Sequence, residues 1–321
     1  MPALIIILSI IALLLILSWI ALELTFKGYF TRDEKYMKNE QKTFERLRKE
    51  GNGWIADLII EGQKEIYSHE YEDHYIDSFD SLRLHGRFYK NPSGKKCTVL
   101  CVHGYHSKWD LDFSCGFKPF FDLGYNIMII DQRSHTGSEG KYVTFGNSER
   151  FDIKDWCRHI VDFRGEDEKI VIYGISMGCT TSVNAAALED MPKNLCAVVA
   201  DCGFTSAAQE ISHVMIDDLH LPRFPIYAII KAMAKRRANF DFDEVSTVES
   251  VKNIDVPIIF VHGDADTFVL PECSKKNYEA CTSPDKTLYI VPGAAHAQSF
   301  LVGGDEAKAK ITGFVSRCFG S

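Results

Sequence analysis

Ile170-Val171-Ile172-Tyr173-Gly174-Ile175-Ser176-Met177-Gly178-Cys179 is the stretch on which the fold turns. Its opening residues are apolar and largely β-branched, as in a strand buried on both faces. The small residues Thr180, Thr181, Ser182, Ala185, Ala186 and Ala187 that follow suit a helix packed close to a sheet. Between the two lies G-x-S-x-G. Glycines on either side of a serine let the backbone turn sharply from strand to helix without Cβ clashes, which holds the hydroxyl out at the C-terminal edge of the sheet. A chance Gly-Ser turn would lack this context, so Ser176 is the candidate nucleophile.

Runs of the same kind recur on both sides. Thr98–Val102, Asn126–Ile130, Ala197–Ala200, Pro257–Val261 and Leu288–Val291 read as further strands, and His74–Phe79 and Leu82–Lys90 as a pair joined at Asp80-Ser81. Helical periods lie between them: Ile153, Trp156, Cys157, Ile160 and Val161, and at the end Ala307, Ile311, Phe314, Val315 and Cys318. Alternating β and α units predict a doubly wound α/β domain with a mostly parallel sheet. Residues 205–251 interrupt the alternation. They are too apolar for a loop and too long for one crossover helix, so they read as a small helical cap. Inserts of this kind lie near the C-terminal strand edges, where ligands bind. Leu219 and Phe224 are its candidate substrate-binding side chains.

A serine hydroxyl needs a base, and the base an orienting acid. Among 11 histidines, His296 follows the last strand run and precedes the final helix, which makes it the candidate base. His103 and His262 each end a strand run before a glycine, where a backbone-bonding role is expected. Asp264 and Asp266 stand just past Pro257–Val261, and Asp201 ends Ala197–Ala200; all three are candidates for the acid. His103, His106, Asp110 and Asp112 crowd together, but H-x-x-H-x-x-x-D-x-D is not a usual ligand spacing, there is no HExxH, and no second cysteine pair joins Cys97 and Cys101 to complete a zinc site. No metal site is expected. No Walker A motif and no G-x-G-x-x-G after a strand occur, so no cofactor is expected either.

From about residue 64 to the C-terminus the sequence resembles an α/β-hydrolase. The resemblance rests on Ser176 in its elbow, on His262-Gly263-Asp264-Ala265-Asp266-Thr267-Phe268-Val269, on Gly293-Ala294-Ala295-His296, and on the order Ser, Asp, His. It implies that Asp266 is the acid. It also implies an oxyanion hole made of two backbone N–H groups, one from Met177 and one from the loop His103-Gly104-Tyr105, where Tyr105 is the expected donor. His103-Gly104-Tyr105, Ser138-Glu139-Gly140 and Thr144-Phe145-Gly146 are further similar to a bacterial branch of serine hydrolases, many with an N-terminal anchor and no settled substrate. The implied activity is cleavage of small-molecule carboxylic esters through an acyl-enzyme. The apolar cap, with no obvious buried ion to anchor a peptide terminus, adds the expectation that short or medium acyl and aryl esters are favoured over charged peptides. A prolyl-oligopeptidase-type peptidase shares the triad order, but the stretch from Asn52 to Asn91 is too short for that group's N-terminal propeller. Thioesterase activity and a non-catalytic binding role are further alternatives.

The chain has 321 residues, 36 Lys and Arg against 44 Asp and Glu, and a net charge of −8. That balance lacks the basic field of a nucleic-acid binder. Ala3 to Leu22 carry no charge and are polar only at Ser9 and Ser18. About 20 apolar residues span a bilayer core of ~30 Å. No basic residue precedes this run and no A-x-A site follows, so a retained transmembrane helix is expected rather than a signal peptide. Lys27, Arg32, Lys35, Lys38, Lys42, Arg46, Arg48 and Lys49 follow it, which orients the body to the cytoplasm. The 10 cysteines show no disulfide framework and fit a reducing compartment. The expected organisation is an anchor over residues 1–25, a juxtamembrane helical segment over 26–63 and the hydrolase domain over 64–321. A chain started near Asn52 is expected to be soluble and active. No motif fixes an oligomeric state.

Overall fold

The computed structural model describes residues 2–32 and 40–320, apart from the side chain of Asp218. Lys35 and Lys38 lie outside the described residues. Eight strands form one sheet: β1 Glu72–Asp77, β2 Arg83–Tyr89, β3 Cys97–Val102, β4 Asn126–Ile130, β5 Lys169–Ile175, β6 Leu195–Asp201, β7 Ile258–Gly263 and β8 Lys286–Val291, in the order β1-β2-β4-β3-β5-β6-β7-β8. The first two are antiparallel additions; β4, β3, β5, β6, β7 and β8 run parallel. Every expected strand run overlaps one of these, with the bounds of His74–Phe79, Leu82–Lys90 and Pro257–Val261 one or two residues too long at one or both ends.

The helices relevant to the site are α1 Pro2–Phe30, α2 Glu40–Lys49, α3 Gly53–Tyr67, α4 Ser114–Asp122, α5 Glu149–Arg164, α6 Met177–Ala186, α7 Ala207–His213, α8 Arg223–Ala238, α9 Glu272–Ala280 and α10 Gly304–Phe319. Successive strand residues point to opposite faces. Val99, Cys101, Ile127, Ile129, Val171 and Tyr173 join one apolar layer with Ile311, Phe314 and Val315 of α10. Leu100, Val102, Met128, Ile130, Ile170 and Ile172 join another with Ile153, Trp156 and Ile160 of α5. Burial on both faces is why these strands read as unbroken apolar runs. Trp54 to Ile59 open α3, which packs on the body through Ile55, Ala56, Ile59 and Ile66.

The cap consists of α7, a π-turn over Val214–Asp218 and α8, closed at its base by a Ser206–Ser246 bridge. It packs on α1. The 29-residue α1 is long and apolar enough to cross a membrane. Its residues up to Ala21 are exposed, whereas Phe26 and Phe30 are 2% exposed within the cap's own core, with Phe145, Phe204, Met215, Ile230, Phe240 and Phe242. Phe30 stacks on Phe242 at 5.5 Å and on Phe26 at 4.9 Å. Arg237 of α8 pairs with Glu23. Past the helix, Phe30 and Arg32 bond the backbone of Val143 and Lys141. The apolar helix therefore runs into the body without a loose joint. This revises the expectation that a chain started near Asn52 would be active, because the cap's core would lose two aromatic side chains.

Candidate active site

β3 and β5 are neighbours from which the strand order proceeds in opposite directions, and a crevice forms at such a switch point. The candidate residues all hang from C-terminal strand edges around it: Gly104 and Tyr105 after β3, Ser176 after β5, Asp266 after β7 and His296 after β8.

Ser176 sits at φ 57°, ψ −121°, a conformation that non-glycine residues rarely hold, at the sharp turn into α6. The flanking glycines are there for space. A Cβ on Gly178 would fall on the carbonyl of Val102, and one on Gly174 would meet the carbonyl of Gly178. The Ser176 hydroxyl donates to His296 Nε2 at 2.9 Å, and His296 Nδ1 lies 2.7 Å from Asp266 Oδ2. A carboxylate only accepts, so Nδ1 carries the proton and Nε2 is left to accept from the serine.

Asp266 is buried. Its Oδ1 accepts the N–H groups of Phe268 and Val269, each at 3.0 Å. His262 Nε2 lies 3.2 Å from Oδ2 and also donates to the Val269 carbonyl at 2.8 Å. Burial alone would raise the carboxyl's pKa; hydrogen bonds from His262 and His296 outweigh it and hold the group at about 2. The native state thus binds this proton less readily than an unfolded chain with the ordinary value of 3.8. The resulting stabilisation is present above about pH 4 and is lost as pH falls through about 2. Urea unfolding midpoints measured across that window are expected to fall more steeply for the wild type than for Asp266→Asn.

The competing carboxylates are engaged elsewhere. Asp264 is exposed and accepts the Gly293 N–H at 2.6 Å, tying the β7 loop to the β8 loop. Asp201 accepts from Ser299 at 2.8 Å and from Tyr173 at 3.2 Å; burial raises its pKa to about 6. His103 bonds backbone, accepting from Gln132 N–H and donating to the Gly104 carbonyl. The four residues of the histidine-aspartate cluster do not converge: Asp110 accepts from Tyr67, and His106 bonds the Thr31 carbonyl. Cys202, Asp266 and His296 offer ligand atoms within 4.8 Å of one another, but the Asp266–His296 bond already uses two of them.

Met177 is the first residue of α6, so its N–H has no acceptor within the helix. The loop carrying Tyr105 is held against the serine: a Cβ on Gly104 would lie 3.2 Å from Ser176 Cβ. Asp112 fixes that loop by accepting the Gly104 N–H at 2.7 Å and the Ser107 hydroxyl at 2.5 Å. The Tyr105 ring packs on Phe145, and its hydroxyl donates to the Tyr29 carbonyl of α1 at 2.9 Å.

Over Ser176 lies a cleft of about 800 Å³, its open mouth included. Sequence reasoning placed Leu219 and Phe224 there. Leu219 lines it; Phe224 does not, and this corrects that expectation. Phe224 stands between Pro222 and Pro225 with non-helical angles and is 83% exposed on the outside of the cap. Sequence reasoning missed the wall that α1 supplies, Thr25, Tyr29 and Phe30, together with Phe145 and Phe204. The i, i+4 pair Phe26 and Phe30, just past the uncharged run, was the available signal for a packed rather than solvated segment.

A family model described as the prolyl oligopeptidase family matches residues 111–321. The chain is similar to the uncharacterized protein YqkD of Bacillus subtilis (strain 168), with 28% identity over 181 residues, 56% of this chain and 59% of that protein. It is also similar to the alpha/beta hydrolase domain-containing protein WAV2 of Arabidopsis thaliana, with 24% identity over 245 residues, 73% of this chain and 75% of that one. The match to YqkD thus spans less than two thirds of that relative. Among solved structures, the Pyrococcus furiosus esterase Pf2001 superposes with a TM-score of 0.64 at 25% identity, covering 80% of this chain and 95% of the esterase.

Proposed function

The chain belongs to the prolyl oligopeptidase family, within the α/β-hydrolase superfamily, and from that premise we propose that this serine hydrolase cleaves carboxylic esters through Ser176, His296 and Asp266. One observation carries the reading: the unbroken hydrogen-bond chain from Ser176 Oγ through His296 to a carboxylate held ionised, at the floor of an apolar cleft. Ser176 Oγ attacks the ester carbonyl while His296 Nε2 takes its proton, and Asp266 steadies the imidazolium. The oxyanion is received by the N–H groups of Met177 and Tyr105, worth about 2.7–4 kcal/mol each. The tetrahedral adduct collapses, the C–O bond to the alcohol breaks, and His296 returns the proton to that oxygen. Water, deprotonated by His296, then splits the acyl-enzyme to acid and free serine.

The family's description favours a second reading, cleavage of aminoacyl amides; Glu210, a buried carboxylate lining the cleft, would then take the ammonium. A panel of aryl esters, thioesters and aminoacyl amides decides between them: esters turn over fastest on the first reading, amides on the second.

The acid is tested by ranking three substitutions. Asp266→Asn is expected to lower kcat about 10⁴-fold, because the wrong histidine tautomer is then favoured. Asp264→Asn and Asp201→Asn, whose side chains hydrogen-bond neither Ser176 nor His296, are expected to stay within about tenfold of the wild type, a small loss beside the tautomer effect. Steady-state kinetics with an aryl ester checks the order.

The same reading makes α1 a retained single-pass anchor over residues 1–25, followed by the segment 26–63 and the hydrolase domain 64–321 with its cap at 205–251. The lack of a basic residue before the apolar run and of an A-x-A site after it supports retention. The basic residues after the run and ten cysteines without a disulfide support a cytoplasmic body.

A further inference from the structure

The cleft over Ser176 is walled on one side by the membrane helix itself. Thr25, Tyr29 and Phe30 of α1 face Ile211, Val214, Met215 and Leu219 of the cap across it. At 1.5 Å per residue, Thr25 stands about 4.5 Å beyond Leu22, where the uncharged run ends, and Phe30 about 12 Å beyond it. The headgroup layer on one side of a bilayer is roughly 5–7 Å thick, half the difference between total and hydrocarbon thickness. The Thr25 end of the cleft therefore lies at headgroup level, and Ser176 lines the same cleft.

The joint is fixed. α1 is one uninterrupted helix from Pro2 to Phe30, Arg237 pairs with Glu23, and the Tyr105 hydroxyl bonds the Tyr29 carbonyl. The height of the serine above the membrane is thus set by the helix and not by a tether. The loop that Tyr105 belongs to, next to the nucleophile, is braced on the same helix.

Resting on the ester-hydrolase reading, we propose that the substrate is a lipid ester resident in the bilayer. One acyl chain lies along α1 between Thr25 and Phe30 with its tail toward the hydrocarbon, and its carbonyl reaches Ser176. A chain long enough to bridge that height keeps its tail among lipid while the ester is cleaved. A short ester cannot, and must be captured from water by the cleft alone. The preference for short or medium chains, drawn from the cap's composition, is thereby shifted to long ones, because the cap supplies only half of the wall. The exposed apolar side chains Leu219 and Phe268 at the cleft, 38% and 40% accessible, fit an entrance that meets lipid.

The test uses the full chain reconstituted in phosphatidylcholine vesicles that contain 1-oleoylglycerol, with p-nitrophenyl butyrate as the water-borne ester. The wild type is expected to cleave oleoylglycerol with the higher kcat/KM. Thr25→Trp, which fills the membrane end of the cleft, is expected to lower the oleoyl-to-butyryl ratio of kcat/KM at least tenfold. Leu219→Trp, on the facing wall, is expected to shift it the same way and carries the test if the first variant does not fold. Butyrate turnover without oleoylglycerol turnover in the wild type overturns the proposal, as does a ratio unchanged within threefold in the folded variants. If neither ester is cleaved and a fluorophosphonate leaves Ser176 unlabelled, the ester-hydrolase reading has failed and this proposal falls with it.

Discussion

Ser176→Ala is expected to lower kcat on the order of 10⁶-fold, the loss seen when the nucleophile of such a triad is removed, with an unfolding temperature close to that of the wild type. The Ser176 hydroxyl makes a single described side-chain bond, to His296, so its loss leaves the packing of the elbow in place. The unusual backbone angles cost alanine what they cost serine, since both carry a Cβ. Residual catalysis from the oxyanion donors and binding alone would remain. Purified variant retaining more than a few per cent of wild-type turnover would place the nucleophile elsewhere.

The second large effect concerns the N-terminal helix. A chain started at Asn52 is expected to be strongly destabilised and to lose most activity, not just its membrane attachment. Phe26 and Phe30 would vanish from the cap's core, leaving Phe145, Phe242 and Ile230 without their neighbours. Tyr29 would also be lost as partner to the Tyr105 hydroxyl. The single substitution Phe30→Ala in the full chain isolates the packing term: a cavity of this kind costs about 3–5 kcal/mol. Thermal unfolding of the detergent-solubilised protein is expected to shift down on the order of 5 °C. An Asn52-start chain as stable and active as the full one would show that α1 merely rests on the cap.

The two results bear on how the fold and the site were written in the chain. The sheet was legible because Ile127 and Met128, or Val199 and Ala200, are buried on opposite faces, so both neighbours must be apolar and the run stands out. The elbow was legible because steric demand leaves no residue but glycine at positions 174 and 178. Chain order and a place at a strand end marked His296 as the candidate base, but they left Asp266, Asp264 and Asp201 level as the acid, and only the resemblance to the α/β-hydrolases picked out Asp266. What separates them is three-dimensional. Asp266 turns inward under His296 and collects four donors, while Asp264 turns outward to Gly293.

The cleft was only half legible. Helical spacing in the cap marks apolar positions without saying which side faces the serine. The two prolines that set Phe224 at non-helical angles put it on the outside of the cap. The wall from α1 was hidden for another reason: an apolar run of that length satisfies a bilayer completely, so nothing in it asks for a protein partner. The contact begins only where the run ends, at Leu22, and is carried by three aromatic residues and Thr25. The role of Asp112 was hidden among histidines that suggested a metal. Its physical task is to hold the Gly104 N–H and so the turn that precedes Tyr105.

The most direct test of the central claim is covalent labelling of the full-length protein with a fluorophosphonate, with the modified residue located by peptide mass spectrometry. The account predicts one adduct, on Ser176 Oγ, absent from Ser176→Ala and slowed in Asp266→Asn. An adduct on any other serine, or none on folded protein, would contradict it.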